Sequence, residues 1–362
     1  MASAVARWCY VGPVPLDAGA DVRARAELAR WPWAQAETEV LCRGVIHSVA
    51  GSPDGTVADL LAFDFGANPH LRLEIYDQDE DDATPGDDRV AFWEQGVGRA
   101  VRHLNDSGRG PVIAACNGLF FATQKGPDGQ RIARHVAPVV LDGQVLYNVG
   151  NHRWTFGVRY DDGKPTFITL HLPDREALRQ TYTYAAAGAQ CLIHEGRPLR
   201  LQPFPAPGDP PLPRPVPCAP DEAGHIPGVD HMKTSRTSMA WSEDSQRFWL
   251  LVVKEPDTET GSAIALRRGL PITGGWTVPD LQAFWLAKGA WGAVNIDGGD
   301  VTQMAFLRED GRYELIPPRW ATMQARMTLP PSMEGAPQGG TLMYVYVRGE
   351  AGERQGSGRD GG

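Results

Sequence analysis

The chain holds 362 residues, 42% hydrophobic and 22% charged, with a formal net charge of −9. That length means one large domain or two, with a core big enough to need no covalent staples. The acidic balance argues against a nucleic-acid binder, which needs a cationic face to displace counterions, and no apolar run approaches the ~18–20 residues of a membrane helix.

Five cysteines, Cys9, Cys42, Cys116, Cys191 and Cys218, form no CxxC pair. A structural zinc site is therefore not expected, and the wide spacing reads as buried free thiols, with one or two bridges open to an exported chain. The start of the chain lacks the charged-then-apolar layout of a signal peptide, which leaves the compartment open.

In chain order, residues 1–37 read as an N-terminal extension with a short helix over Ala24–Gln35, and one domain is expected over 38–350. Val40–Val49, rich in β-branched residues, reads as a strand. Leu71, Leu73 and Ile75 alternate with Arg72, Glu74 and Tyr76, the period of a half-buried strand. Asp77–Asp82 holds five acids in six residues. It can chelate calcium, but without the glycine and spacing of an EF-hand it reads as a solvated loop. Asp87 or Asp88 can cap a helix from Arg89 to Leu104, whose Val90, Trp93, Val97, Ala100, Val101 and Leu104 form one stripe. Pro111–Cys116 is a short strand running into a turn at Asn117-Gly118. Further turns stand at Asp142-Gly143 and Asp162-Gly163.

Gln202–Pro220 carries nine prolines and reads as an extended surface insertion. Thr237–Trp241 and Phe248–Val253 pair as strands about a turn at Ser242–Ser245. Thr277 caps a helix with Pro279 and Asp280 in its first turn, Leu281, Phe284, Trp285 and Lys288 on one face, and Gly289 at its end. Ala293–Ile296 is a buried strand leading into Asp297-Gly298-Gly299. Ala351–Gly362 is Gly- and Arg-rich and reads as a disordered tail. The whole predicts an α+β fold with a mixed, largely antiparallel sheet core and a few packed helices.

Three constellations carry chemistry. Asn117-Gly118-Leu119-Phe120-Phe121 offers an amide that donates and accepts, and a glycine that lets a ligand approach. His231-Met232-Lys233-Thr234-Ser235-Arg236-Thr237 converges three cations, and the planar fork of Arg236 suits two phosphate oxygens. Asn295-Ile296-Asp297-Gly298-Gly299-Asp300 delivers an acid to the end of a strand with uncrowded backbone N–H groups behind it. Each also reads blandly, as a turn, a polar loop and a hairpin. His152, His171, His194 and His225 read as structural or exposed. Serine-hydrolase, zinc-protease, P-loop and dinucleotide signatures are absent, so nothing calls for ATP or NAD.

The three together, in this order, resemble the phosphodiester glycosidase family, whose pattern is roughly Asn-Gly-Gly-Phe-Phe, then Arg-Thr-Ala-Ile-Gly, then Asn-Leu-Asp-Gly-Gly-Gly-Ser. Arg236-Thr237-Ser238-Met239-Ala240 matches the second segment, and Ala187–Arg197 is similar to the family's strand and acid-Gly turn, here Glu195-Gly196. The resemblance spans about residues 40–350. Leu119 stands where the family has glycine, and Asp300-Val301 where it usually has Gly-Ser.

The resemblance implies hydrolysis of a sugar-1-phosphodiester at the anomeric carbon, with a glycosyl-phosphate small molecule or glycan as the partner. A phosphate monoester of second pKa ~6 leaves without strong acid assistance, so one carboxylate and a phosphate clamp can suffice. Asp297 is then base, nucleophile or oxocarbenium stabiliser, and Arg236 holds the phosphate. Asn117, Gly118, His231, Thr237, Gly298 and Gly299 bind substrate, and Phe120 or Phe121 forms a wall. Glu195, Asp300 and Glu243 are candidate second acids. No cofactor is required, though Asp300 beside Asp297 makes a divalent cation possible. The alternatives are a non-catalytic sugar-phosphate or polysaccharide binder, a metal-dependent phosphodiesterase with Asp297 and Asp300 as ligands, and a structural domain.

Overall fold

The computed structural model describes residues 36–78, 89–91, 96–126, 129–147, 154–203, 225–229, 231–318 and 326–350. The expected helix at 24–35, the acids at 79–82, the prolines at 204–220 and the tail at 351–362 lie outside the described residues.

Two large antiparallel sheets dominate. The first runs, edge to edge, through Glu37–Cys42, Val45–Gly51, Val57–Asp64, Arg247–Lys254, Arg236–Trp241, Gly292–Asn295, Tyr184–His194, Trp154–Asp161 and Lys164–His171. The second runs through Met327–Leu329, Tyr313–Ile316, Met304–Leu307, Val112–Asn117, Met343–Arg348 and Arg72–Asp77. Their facing sides share one apolar core, in which Leu61, Phe248 and Val294 of the first sheet cluster with Ile113, Phe306 and Val345 of the second. Short strands at Arg200–Pro203 and His225–Val229 form a separate parallel pair, whereas both core sheets are antiparallel throughout, so the core is largely antiparallel as expected but not mixed.

Helices cover the outer faces. Val97–Asp106 buries Val97, Ala100 and Val101 against Tyr76 and Tyr344 of the second sheet. Val278–Lys288 lies on the first sheet, where Trp285 Nε1 donates to Ser238 Oγ at 2.7 Å and Gln282 Nε2 donates to the carbonyls of Leu192 and Leu199. Its start is written locally. Thr277 Oγ1 accepts from the Asp280 N–H while the Asp280 carboxylate accepts from the Thr277 N–H, a capping box, and Gly289 ends it in the left-handed region. Two shorter helices, Arg175–Thr181 and Ser262–Arg268, had no counterpart in the sequence reading. The result is the expected class, with sheet outweighing helix.

Three further expectations need correction. Arg89–Ala91 is a strand paired with Arg131–His135, and the helix begins only at Val97. Its N-cap, Gly96, supplies no side chain, and the Val97 N–H instead donates to Gln303 Oε1, 2.8 Å away from a remote segment. A local pattern cannot display a cap brought from two hundred residues downstream. Val40–Val49 is not one strand but most of a hairpin, Glu37–Cys42 and Val45–Gly51, reversed at Gly44 with φ +71°. Asp77 is not solvated: it ends its strand fully buried. By contrast Asp142-Gly143, Asp162-Gly163 and Glu195-Gly196 all turn hairpins with both residues at positive φ, as their sequences demand.

Among the described residues Cys42, Cys116 and Cys191 form no disulfide, and burial pushes the thiols of Cys116 and Cys191 far above the ordinary range.

Candidate active site

The Arg236–Trp241 and Gly292–Asn295 strands are antiparallel neighbours, with Ser238 opposite Asn295. The start of one therefore lies beside the end of the other, and this places Arg236 next to Asp297. Gly298 and Gly299 complete the approach. The Gly299 N–H donates to the Ser235 carbonyl at 2.8 Å, and a Cβ on Gly298 would stand 2.8 Å from that same oxygen. Gly299, at φ +64°, also needs the conformational freedom of glycine. The Asp297 carboxylate is half-buried, and its Oδ1 accepts from the Gly298 N–H at 2.9 Å.

Arg236 is 6% exposed. Its Nε donates to the Trp276 carbonyl at 3.0 Å and its Nη2 to the Met232 carbonyl at 2.8 Å, so two of its five N–H groups fix the plane of the fork. His231 is exposed at the head of this segment. Asp300 is exposed on the short 3-10 turn Gly299–Val301 that follows the acid.

Asn117 ties the second sheet to this arrangement from behind. It is wholly buried. Its Nδ2 donates to the Asp297 carbonyl at 2.8 Å, and its Oδ1 accepts from Thr237 Oγ1 at 2.8 Å and from the Gln303 N–H at 3.2 Å. Thr237, equally buried, points into the core between the sheets, because alternate residues of a strand face opposite sides. Asn117 and Thr237 thus hold the backbone under the acid and do not line an open surface. Gly118 likewise makes room for protein: its N–H donates to the Met343 carbonyl at 2.8 Å, and a Cβ would come 2.7 Å from that oxygen.

Two candidate acids lie elsewhere. Glu195 sits exposed on a hairpin turn whose Gly196 N–H bonds the Trp291 carbonyl. Trp291 heads the strand that Asp297 follows, so Glu195 is at the opposite end, roughly 20 Å away at ~3.3 Å per residue. Glu243 occupies the turn beyond Trp241, the far end of the strand that Arg236 begins. Antiparallel strands separate what their turns carry from what their open ends carry.

A buried polar group missed in the sequence stands nearer. His135 Nε2 lies 3.0–3.1 Å from the two Asp77 oxygens, and the Tyr147 hydroxyl donates to Asp77 Oδ2 at 2.5 Å. The His135 and Tyr147 rings stack at 3.9 Å. His135 is opposite Phe121 in its sheet, and Asp77 is opposite Met343, the residue that receives Gly118. The signal was available: Asp77 continues the period of Leu71, Leu73 and Ile75, an acid on an apolar face.

A depression of about 350 Å³ adjoins the segment before Arg236 through Lys233 and is lined also by Asp54, Trp276 and Asp280. Burial acts to raise the Asp54 pKa, but hydrogen bonds from Ser52 and Thr56 and the Lys233 charge outweigh it and hold the group below its ordinary value. A larger depression of about 560 Å³, between Glu39, Arg308 and Asp310, adjoins none of the three constellations. Among the described residues no three His, Cys, Asp or Glu side chains converge as a metal-ligand set.

Among solved structures, the chain is similar to the catalytic domain of zebrafish N-acetylglucosamine-1-phosphodiester alpha-N-acetylglucosaminidase auto-inhibited by its pro-peptide, at 14% identity over 88% of this chain and 89% of that one, with a TM-score of 0.45. It is also similar to a hypothetical protein from Synechocystis, at 12% identity, 88% and 64% coverage and a TM-score of 0.44, and to a putative exported protein from Burkholderia pseudomallei, at 13%, 83% and 74%, and 0.43. No curated protein matches. The family model described as phosphodiester glycosidase matches residues 110–326, a span holding all three constellations, and the chain belongs to that family.

Proposed function

We propose that the protein hydrolyses the C–O bond between the anomeric carbon of a sugar and a phosphodiester, releasing the sugar and a phosphomonoester. The observation that carries this reading is the clamp between the Gly298-Gly299 turn and Ser235-Arg236, which makes a carboxylate and an oriented guanidinium issue from adjoining backbone. Arg236 holds the phosphate and stabilises charge as the bond breaks. Asp297 acts on the sugar side as base, nucleophile or oxocarbenium stabiliser, and because the leaving phosphate is a weak base the reaction needs no strong acid opposite it. His231, on the exposed side of the Arg236 segment, adds a donor to the substrate. Gly298 and Gly299 leave the acid uncrowded.

The test is an NMR assay of a panel of sugar-1-phosphodiesters with wild type, Asp297→Asn and Arg236→Lys. Wild type releases free sugar, Asp297→Asn folds and loses ~10²–10⁴-fold in rate, and Arg236→Lys is also damaged because a point charge replaces a planar fork. Isotope-labelled water places its oxygen on the sugar; label on phosphate would replace this reading with a phosphodiesterase. Substrate bound without release would replace it with a binding protein.

A further inference from the structure

Lys254 and Glu255, consecutive and charged, end the central Arg247–Lys254 strand at 3% and 1% exposure. Arg236 stands opposite Val253 in the register, so the two lie just past the level of the guanidinium. Successive residues of an extended chain point to opposite faces, and each takes hold of a different segment. Glu255 Oε1 accepts from Thr234 Oγ1 at 3.3 Å and Ser262 Oγ at 2.9 Å, its Oε2 accepts from the Ser262 N–H at 2.6 Å, and its own N–H donates to Ser235 Oγ at 3.1 Å. Lys254 Nζ donates to the Thr302 carbonyl at 3.0 Å and the Pro317 carbonyl at 3.1 Å. Thr234-Ser235 leads into Arg236, and Thr302 is the exit of the turn that Asp297 begins, with its own N–H on the Gly299 carbonyl.

We propose that Lys254 and Glu255 are the positioning pair of this site, Glu255 fixing the segment that presents Arg236 and Lys254 fixing the loop that presents Asp297. Neither touches substrate. Burying two charges is costly unless each is satisfied, and here, alongside Ser262 and Pro317, the groups that satisfy them belong to the two segments that carry guanidinium and acid. The inference deepens the glycosidase reading and rests on it for its kinetic consequence, whereas its structural consequence stands apart from turnover.

The test combines hydrogen exchange by mass spectrometry with steady-state kinetics on Lys254→Met, Glu255→Gln and, as a milder probe of the Glu255 side, Ser262→Ala. Exchange is expected to rise over residues 297–303 in Lys254→Met and over 232–238 in Glu255→Gln and Ser262→Ala. Residues 154–171, at the far edge of the same sheet, should stay as in wild type. In an active enzyme kcat falls about 10- to 100-fold in the first two variants, and Lys254→Arg recovers most of it. Wild-type exchange in both segments, or a rise spread evenly over the chain, overturns the pairing. Absence of turnover in wild type with the segment-specific exchange intact would overturn the reaction and leave the positioning role standing.

Discussion

Asn117 Nδ2 donates to the backbone carbonyl of Asp297 at 2.8 Å, so the most polar residue of the first constellation serves the acid of the third from the inside of the molecule. Through Thr237 and Gln303 the same amide reaches the second constellation and the following strand. One buried side chain thus couples two sheets at the point where they carry the site.

Asn117→Ala is expected to leave the Asp297 carbonyl, Thr237 Oγ1 and the Gln303 N–H without their partner, at about 1–3 kcal/mol for each group that water cannot reach. Asn117→Asp is expected to be worse, because it sets a carboxylate against a carbonyl. Urea unfolding measures both. Wild-type stability in Asn117→Ala would mean that the amide carries little of the inter-sheet contact.

Gly298→Ala and Gly299→Ala separate sterics from strain. At Gly298 the added Cβ meets the Ser235 carbonyl oxygen at 2.8 Å, a backbone atom that moves only with the strand. Opening that contact costs about 1–3 kcal/mol and draws Asp297 away from Arg236, so activity falls further than stability. At Gly299 nothing lies nearer than 3.9 Å, and the cost is the left-handed backbone alone, about 1–2 kcal/mol. Thermal melts and sugar-release rates on the two variants check the difference.

Asp77 and His135 should behave as one unit. Asp77→Ala removes the carboxylate that His135 Nε2 and the Tyr147 hydroxyl bond, and His135→Ala removes one of the groups that hold Asp77. Each single change should destabilise, and the double change should cost about 0.5–3 kcal/mol less than their sum. Additive losses in a double-mutant cycle by urea unfolding would dissolve the pair.

His47 gives stability a pH dependence. Burial alone would lower its pKa, but hydrogen bonds and charge from Asp59 and then Glu39 overturn that and hold it above its ordinary 6.5. A group raised in the folded state stabilises fully below its unfolded pKa and loses that contribution as pH rises through the folded value. The melting temperature should therefore fall as pH climbs above about 6.5, and His47→Gln should flatten the fall. An identical slope in the variant would assign the loss to other groups. Asp59 also receives Arg326 at 2.8 Å, which keeps one bond on the acid after His47 is neutral.

The sequence alone determined what is written locally. Thr277, Asp280 and Gly289 specified a helix by capping chemistry, the Asp-Gly pairs specified hairpins by positive φ, and the order of the three motifs matched the family. Each of these signals lies within a few residues, where backbone geometry depends on neighbours in the chain. Tertiary structure decided the rest. Strand register set Arg236 beside Asp297 and sent Glu195 and Glu243 to the opposite ends of their strands. Gln303 became the cap of a helix two hundred residues earlier, and Asp77 found His135 across a sheet edge. Asn117 changed from a candidate ligand group to an internal staple, since pairing between sheets alone determines whether an amide at a strand end meets solvent or a carbonyl. A buried polar group must find its partners wherever packing puts them, and those partners are remote in sequence.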